Sequence, residues 1–246
     1  MEQRHTHFGF KDVAWEEKQD LVRGVFTRVA SRYDLMNDVM SFGMHRLWKN
    51  SFVGRVRANT HSRFLDVAGG TGDIAERLQA RFHAPVTVCD INAAMLSEGR
   101  DRLFDKGRGA GCTYVCGNAE SLPFPDASAD VYTIAFGIRN VTDIQQALHE
   151  AYRVLAPGGQ FLCLEFSPSV SPALKPVYDA YSFHLLPRFG EWIARDRDSY
   201  QYLAESIRKF PAPMVFARMM ETAGFSRIKA TALSGGICYI HEGWRL

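Results

Sequence analysis

The sequence predicts an α/β domain whose sheet is mainly parallel and covered by helices on both faces. Three observations predict it. Short apolar runs alternate with helical periods from Arg63 onward, the glycine-rich stretch Asp66-Val-Ala-Gly-Gly-Thr-Gly-Asp73 breaks the first of those runs, and the acid Asp90 ends the second. Strands that alternate with helices need crossover connections, which make neighbouring strands parallel and put helices on both faces.

The elements follow in order. Leu21, Val22, Val25, Phe26 and Val29 fall at helical spacing, so residues 13–30 read as an amphipathic helix. The next stretch, YDLMNDVMSFGMHRLW (33–48), mixes aromatics, methionines, two acids and a histidine with no clean helical or strand period. A second helix is predicted over 47–56. The alternation then runs through a strand at 64–68, a helix at 73–82, a strand at 85–90, a helix at 93–104 and strands at 112–117 and 131–137. A helix over 143–155 carries Ile144, Ala147, Leu148, Ala151, Val154 and Leu155, and Pro157-Gly158-Gly159 stops it before a fifth strand at 160–166. Residues 170–210 break the pattern and read as an aromatic insertion of mixed charge. A helix at 213–223, stopped by Gly224, precedes two last strands, IKATAL and GICYIH, paired as a hairpin. The expected architecture is a Rossmann-like fold with a seven-stranded, mostly parallel sheet. A helical extension or lid spans 1–60, and the α/β domain spans 61–246 with the insertion at 170–210 after strand 5.

Composition narrows the function. At 246 residues, 46% hydrophobic and 23% charged, the chain suits one large domain, and a net charge of +2 gives no reason to invoke nucleic acid. No run approaches the ~20 apolar residues of a membrane span, and the N-terminus lacks the apolar core of a secretory signal. Five cysteines without a second ligand pair beside Cys112 and Cys116 read as thiols in a reducing cytoplasm, with no metal site.

In open α/β sheets the ligand lies beyond the carboxyl ends of the strands. Gly70-Thr-Gly72-Asp-Ile-Ala75 satisfies a loose G-x-G-x-x-A pattern, which admits a dinucleotide. Charge argues otherwise: a pyrophosphate wants bare backbone N–H groups, whereas Asp66 and Asp73 flank this loop. A ligand with a ribose, an amino acid and a positive centre suits those carboxylates, and S-adenosylmethionine is such a ligand. Asp90 is then placed for the ribose hydroxyls and the amide of Asn118, in Gly117-Asn118-Ala119-Glu120, for the adenine edge; ordinary turn roles are the alternative for these residues.

These residues resemble a known family. YDLMNDVMSFGMHRLW matches in full the first signature of the ubiquinone/menaquinone biosynthesis C-methyltransferases (UbiE-like), within the class I S-adenosylmethionine-dependent methyltransferases. RVLAPGGQFLCLEFS (153–167) matches the second except at Ala156, where the family usually has lysine. LDVAGGTGD, DIN, GNAESLPFPD, FGIRNVTD and YDAYSFHLLPRFG are similar to further family blocks, so the resemblance covers nearly the whole chain. Ala135 stands where the family often has serine.

The resemblance implies methyl transfer from S-adenosylmethionine to a ring carbon of a polyprenylated benzoquinol or of demethylmenaquinol. It implies cofactor contacts at Thr71, Asp90, Asn118 and Ala119 with the loop glycines Gly69, Gly70 and Gly72, beside Asp66. A ring carbon becomes nucleophilic only as its hydroquinone oxygen loses its proton. Arg139, after the fourth strand, is read as stabilising the developing phenolate, or else as an ion pair orienting an acid. His184 and Tyr33 are further candidates at the ring oxygen. The insoluble prenyl tail calls for a peripheral contact at the membrane's inner face, a quinone-biosynthesis complex or a homo-oligomer. Arg46, Lys49, Arg55, Arg57 and Arg63, interleaved with Leu47, Trp48, Phe52 and Val53, read either as a basic amphipathic membrane helix or as a helix packed on the sheet. Two alternatives stay open here: a methyltransferase of another lipophilic acceptor, and a non-catalytic subunit that binds cofactor or prenyl lipid. YDLMNDVMSFGMHRLW is read as part of a lid over the cleft, its apolar residues enclosing ring and tail and its polar ones facing quinol or cofactor.

Overall fold

A computed structural model describes residues 5–29, 37–38, 41, 43–172, 174–180 and 197–246. A hairpin, β1 (His5–Phe8) and β2 (Lys11–Ala14), leads directly into α1 (Trp15–Val29). Where the sequence suggested helix from residue 13, the chain is therefore still in strand. The helix predicted over 47–56 is α2 (His45–Gly54).

The main sheet contains β3 (Phe64–Val67), β4 (Val86–Asp90), β5 (Cys112–Cys116), β6 (Ala129–Ala135), β7 (Leu155–Phe166), β8 (Ser226–Leu233) and β9 (Cys238–Trp244). Their spatial order is β5-β4-β3-β6-β7-β9-β8. The first five are parallel, and β9 runs antiparallel between β7 and β8. Seven strands, mostly parallel, closed by a hairpin, agree with the sequence reading. One difference lies at Pro157-Gly158-Gly159, which does not precede the fifth strand but falls inside β7. Pairing with β6 shifts there, from Ala129–Leu155 to Val131–Gln160, so the glycines make a bulge.

Two apolar layers cover the sheet. On one face α1, α2, α3 (Asp73–Phe82), α4 (Ala93–Asp105) and a late helix over Arg197–Lys209 contribute Val22, Phe52, Leu78, Leu96 and Leu203. On the other, α5 (Ile144–Val154) and the helix Pro213–Thr222 contribute Leu148, Val154, Phe216 and Met220. In chain order the last three helices are α6 (Lys175–Ala180), α7 (Arg197–Lys209) and α8 (Pro213–Thr222). Local chemistry sets the helix starts: Asn92 accepts from the N–H groups of Ala94 and Met95, Asp143 accepts from Gln146, and Pro213 occupies the first turn of α8. Among the described residues no helix is long and apolar enough to cross a membrane.

Most of the apolar residues of α2 are spent on this core, Leu47 at 60% exposure being the exception. Trp48, Phe52 and Val53 are buried, Lys49 is 3% exposed, Arg55 pairs with Glu242 at 2.6 Å and Arg63 with Asp130 at 2.7 Å. The packed reading holds for Trp48, Phe52 and Val53, while Arg46, Leu47 and Arg57 of the same stretch stay exposed.

Arg139 and Glu165 form a buried ion pair at 2.7 Å. The same guanidinium donates to the Phe136 carbonyl at 2.7 Å and to Ser206 at 3.3 Å, tying the tip of β6 to β7 and α7. Removing one member of a buried pair strands the other, at a cost of about 3–5 kcal/mol. Arg139→Met is expected to lower unfolding free energy by that amount in urea titrations, and adding Glu165→Leu to restore most of it.

Candidate active site

The order of the sheet reverses between β3 and β6, and the loops leaving β3, β4, β5 and β6 converge there. Together with α1 they line a cleft at the carboxyl ends of the strands, where small-molecule ligands bind in open α/β sheets. Gly70, Asp90, Asn92, Gly117, Asn118, Ala119 and Phe136 line its sheet side; Gln19, Val22, Arg23 and Phe26 of α1 form the outer wall.

Backbone strain marks the same place. Ala68 (φ 50°) and Phe136 (φ 58°) are left-handed although neither is glycine, and they follow adjacent strands. Such residues each cost ~1–3 kcal/mol and cluster at functional sites. Glycine is required opposite them, because a Cβ at Gly137 would overlap that of Ala68. Gly99 of α4 is a second close approach: its Cβ would lie 2.7 Å from the Thr71 carbonyl carbon, so only glycine lets this helix abut the loop.

Asp90 holds the floor of the cleft. Its Oδ2 accepts from the N–H of Gly70 at 2.9 Å and its Oδ1 from the N–H of Asn92 at 2.8 Å. Burial pushes its carboxyl up, and the N–H groups of Asn92, Gly70 and Ile91 oppose that. A carboxylate has about four acceptor sites, so these N–H groups leave acceptor capacity on Asp90. Asp66 lies deeper, at 0% exposure; its Oδ1 accepts from Thr133 at 2.7 Å, while Oδ2 is buried with no hydrogen-bond partner. Burial pushes Asp66 to about 7, against the Thr133 hydrogen bond and with help from Asp73 and Asp90.

Asp73 behaves differently from the sequence argument that gave it a free charge. Lys49 donates to it at 2.7 Å and Arg77 at 3.0 Å. Burial pushes it up, but the two cations outweigh burial and hold it at about 2. Its repulsion toward a phosphate is therefore largely cancelled, which leaves Asp66 as the remaining charge argument against a dinucleotide.

The structure brings Asp66, Gly69, Gly70, Thr71, Gly72, Asp90, Asn118 and Ala119 to one sheet edge. The side chain of Asn118 is not directed to a ligand edge: its Oδ1 accepts from Glu120 N–H at 3.0 Å and its Nδ2 donates to the Glu120 carboxylate at 3.3 Å. It closes a turn, because an Asn side chain readily bonds the backbone two residues on. Arg139, expected to face the cleft, is instead 5% exposed and engaged by Glu165, Phe136 and Ser206. Tyr33 and His184 lie outside the described residues. In the 33–48 stretch, Asp38 accepts from Arg46 and sits 2.8 Å from His45 Nε2, and Ser41 caps the His45 N–H at 3.0 Å. These groups bind one another, while Asn37 Nδ2 and His45 Nδ1 are buried without a hydrogen-bond partner among the described residues.

Sequence reasoning missed three contributors. The first is the α1 wall, whose apolar period signalled a buried face without naming what it covers. Lys18 of α1, 3% exposed, donates to the Val141 carbonyl at 2.8 Å and pins that wall; burial lowers it to about 8, with Glu120 opposing. Phe136 and Lys49 are the others, and only the Phe136-Gly137 pair directly after a strand hinted at the former.

The residues fit S-adenosylmethionine: a carboxylate with spare lone pairs at the end of β4, glycines where a Cβ would collide, and an orphaned buried carboxylate oxygen at the loop. The comparisons agree. Residues 12–245 match the ubiE/COQ5 methyltransferase family. The chain is 54% identical over 249 residues to the ubiquinone/menaquinone biosynthesis C-methyltransferase UbiE of Caulobacter sp. (strain K31), covering 97% of each. It is 56% identical over 245 residues to the protein of the same name from Methylobacterium nodulans, covering 98% of this chain and 97% of that one. Among solved structures, an S-adenosylmethionine-dependent methyltransferase of Thermotoga maritima shares the fold, with a TM-score of 0.65 at 20% identity over 91% of this chain and 99% of that one.

Asp66 makes stability depend on pH. The folded protein keeps a proton until about pH 7 that the unfolded chain releases near pH 4, so the free energy of unfolding falls as pH rises through this window, by roughly 4 kcal/mol at most. Asp66→Asn removes that slope. Urea titrations from pH 4 to 7.5 are expected to show the variant gaining on the wild type as pH rises; parallel curves would refute the assignment.

Proposed function

The chain belongs to the ubiE/COQ5 methyltransferase family, and on that footing we propose that it transfers the methyl group of S-adenosylmethionine to a ring carbon of a polyprenylated benzoquinol or of demethylmenaquinol in quinone biosynthesis. When bound, the cofactor supplies an electrophilic methyl on a sulfonium sulfur. The observation that carries the reading is Asp90, held by two backbone N–H groups at the cleft floor with acceptor capacity left for a ribose diol.

The other residues divide the work. Ala119 N–H, presented by the Asn118–Glu120 turn, meets the adenine edge. Gly69, Gly70 and Gly72 let the loop approach the ligand, and Thr71 and Asp66 border its far end. Val22 and Phe26 of α1 exclude water from the cleft, which strengthens electrostatic contacts inside it. The ring carbon takes the methyl and gives up its proton while the sulfonium becomes a thioether, so the acceptor's oxygen must be deprotonated as the bond forms. Tyr33 and His184 are the proposed groups at that oxygen. Arg139 acts at one remove, holding the Phe136 carbonyl and hence the cleft wall.

Residues 1–60 serve as lid and 61–246, with the insertion at 170–210, as the transferase domain. The tail's insolubility is the ground for a peripheral contact at the inner face of the cytoplasmic membrane, or for delivery within a quinone-biosynthesis complex or homo-oligomer.

Two measurements test the function. Incubation with a short-tailed demethyl benzoquinol and labelled S-adenosylmethionine is expected to label the ring carbon; cofactor binding without turnover would favour a scaffold role. Asp90→Ala is expected to raise the dissociation constant for S-adenosylhomocysteine by roughly 100-fold, two hydrogen bonds to a charged group being lost.

A further inference from the structure

The start of α2 carries a set of buried polar groups that the site above does not use. His45 is 3% and Asn37 4% exposed. His45 Nε2 lies 2.8 Å from Asp38 Oδ1, and Arg46 donates to both oxygens of that carboxylate. A carboxylate held this way is an acceptor, so the ring proton sits on Nε2 and Nδ1 carries the lone pair. Nδ1 is buried with no hydrogen-bond partner among the described residues, and so is Asn37 Nδ2. One ladder joins the two residues: Ser41 Oγ donates to the Asn37 carbonyl at 2.7 Å and accepts from the His45 N–H at 3.0 Å. An unmet buried acceptor or donor costs ~1–3 kcal/mol, so one of each on a single ladder calls for a reason.

The fold puts this ladder at the ligand edge of the sheet. Near the start of α2, Trp48 meets Phe166, the last residue of β7, at 5.8 Å. Just past the end of α2, the Arg57 N–H donates to Gln160, earlier in the same strand. α2 therefore runs back along the sheet, and His45, its first residue, stands at the carboxyl edge where ligands bind. One turn on, Lys49 lies 6.0 Å from the centre of the Phe136 ring, and Phe136 lines the cleft. The charged groups around His45 are Asp38 with its partner Arg46, Lys49, and Asp73 of α3. Burial and Lys49 lower its basicity, the two aspartates raise it, and the balance falls below the ordinary histidine value. The imidazole is thus neutral at neutral pH and able to accept a proton.

We propose that His45 Nδ1 takes the phenolic proton of the acceptor while Asn37 Nδ2 donates to the same oxygen, with Asp38 positioning the imidazole. The inference rests on the methyl-transfer reading above and assigns the proton transfer to His45, beside Tyr33 and His184 as the other groups at that oxygen. A hydroxyl is the complement of the two unmet groups, since it has one proton to give and lone pairs to offer. As the proton passes to Nδ1, the O–H electron pair moves through the ring to the carbon that takes the methyl, and the carbon–sulfur bonding pair stays on sulfur. Asp38 stabilises the imidazolium formed in this step. The methylated carbon then sheds its own proton to water, and His45 returns its proton to the oxygen. One proton is released per methyl transferred, and the imidazole ends neutral.

The test reads rate and binding against pH on the full-length protein. Single-turnover methyl transfer to a short-tailed demethyl benzoquinol is expected to show an acid limb in the wild type, because a protonated His45 accepts nothing. His45→Gln is expected to lower that rate about 100- to 10,000-fold and to erase the acid limb, with S-adenosylhomocysteine binding kept within about twofold. A slower variant that retains the limb would make His45 structural and overturn the proposal. Calorimetry supplies a readout without turnover: the methylated, short-tailed benzoquinol product is titrated in the presence of S-adenosylhomocysteine. Its affinity is expected to fall on acidification for the wild type and to stay level for His45→Gln; the same pH dependence in both would overturn the assignment. If His45→Gln does not fold, Asp38→Asn takes its place, with the acid limb expected to move to lower pH as the carboxylate's support is lost; an unmoved limb would count against the dyad. A flat wild-type profile from pH 4.5 to 8 would overturn the proposal without any variant. Absence of methyl transfer by the wild type at every pH would overturn the function reading itself.

Discussion

The tip of β6 depends on one buried ion pair. Glu165, at the end of β7 and fully buried, holds Arg139, and Arg139 holds the carbonyl of Phe136. Phe136 sits in a left-handed conformation that its side chain disfavours, so the clamp keeps a strained turn in place. On that turn rest the wall of the cleft, the close approach of Gly137 to Ala68, and the tilted contact of the Phe136 and Phe166 rings at 4.8 Å. Buried pairs often add little net stability over apolar packing; here the gain is a fixed geometry at the point where the sheet order reverses.

The charges around the glycine loop show the same preference for placement over stability. Asp73 is paired twice and Asp90 is held by backbone N–H groups. Asp66 is the exception, half-satisfied and carrying a penalty that an apolar residue would avoid. A site that leaves one acceptor unmet at rest gains affinity when a ligand meets it.

The N-terminal elements change character once placed. α1 builds the outer wall of the cleft, anchored at Lys18 and by Asn92, whose Nδ2 donates to Thr27 at 3.0 Å and to the Arg23 carbonyl at 3.3 Å. α2 buries its aromatic side in the core and turns one lysine toward the loop. Wall and core are thus one continuous layer on the sheet, which is why the helices before the α/β alternation carry so much apolar mass.

The strand–helix order, the parallel sheet, the glycine loop and Asp90 were legible in the sequence because each depends on local signals: periodicity, turn glycines and a short spacing. The family signatures carried the chemistry of the acceptor. What only tertiary structure decided was which charges are free. Arg139 and Lys49 read in sequence as cations beside apolar residues, and the fold pairs Arg139 with a glutamate 26 positions away and Lys49 with an aspartate 24 positions away. Asn118 looked like a ligand group and is held by its neighbour's carboxylate. Sequence specifies donors and acceptors, but pairing in a low-dielectric interior is settled by distances of a few ångströms that only the packed fold sets.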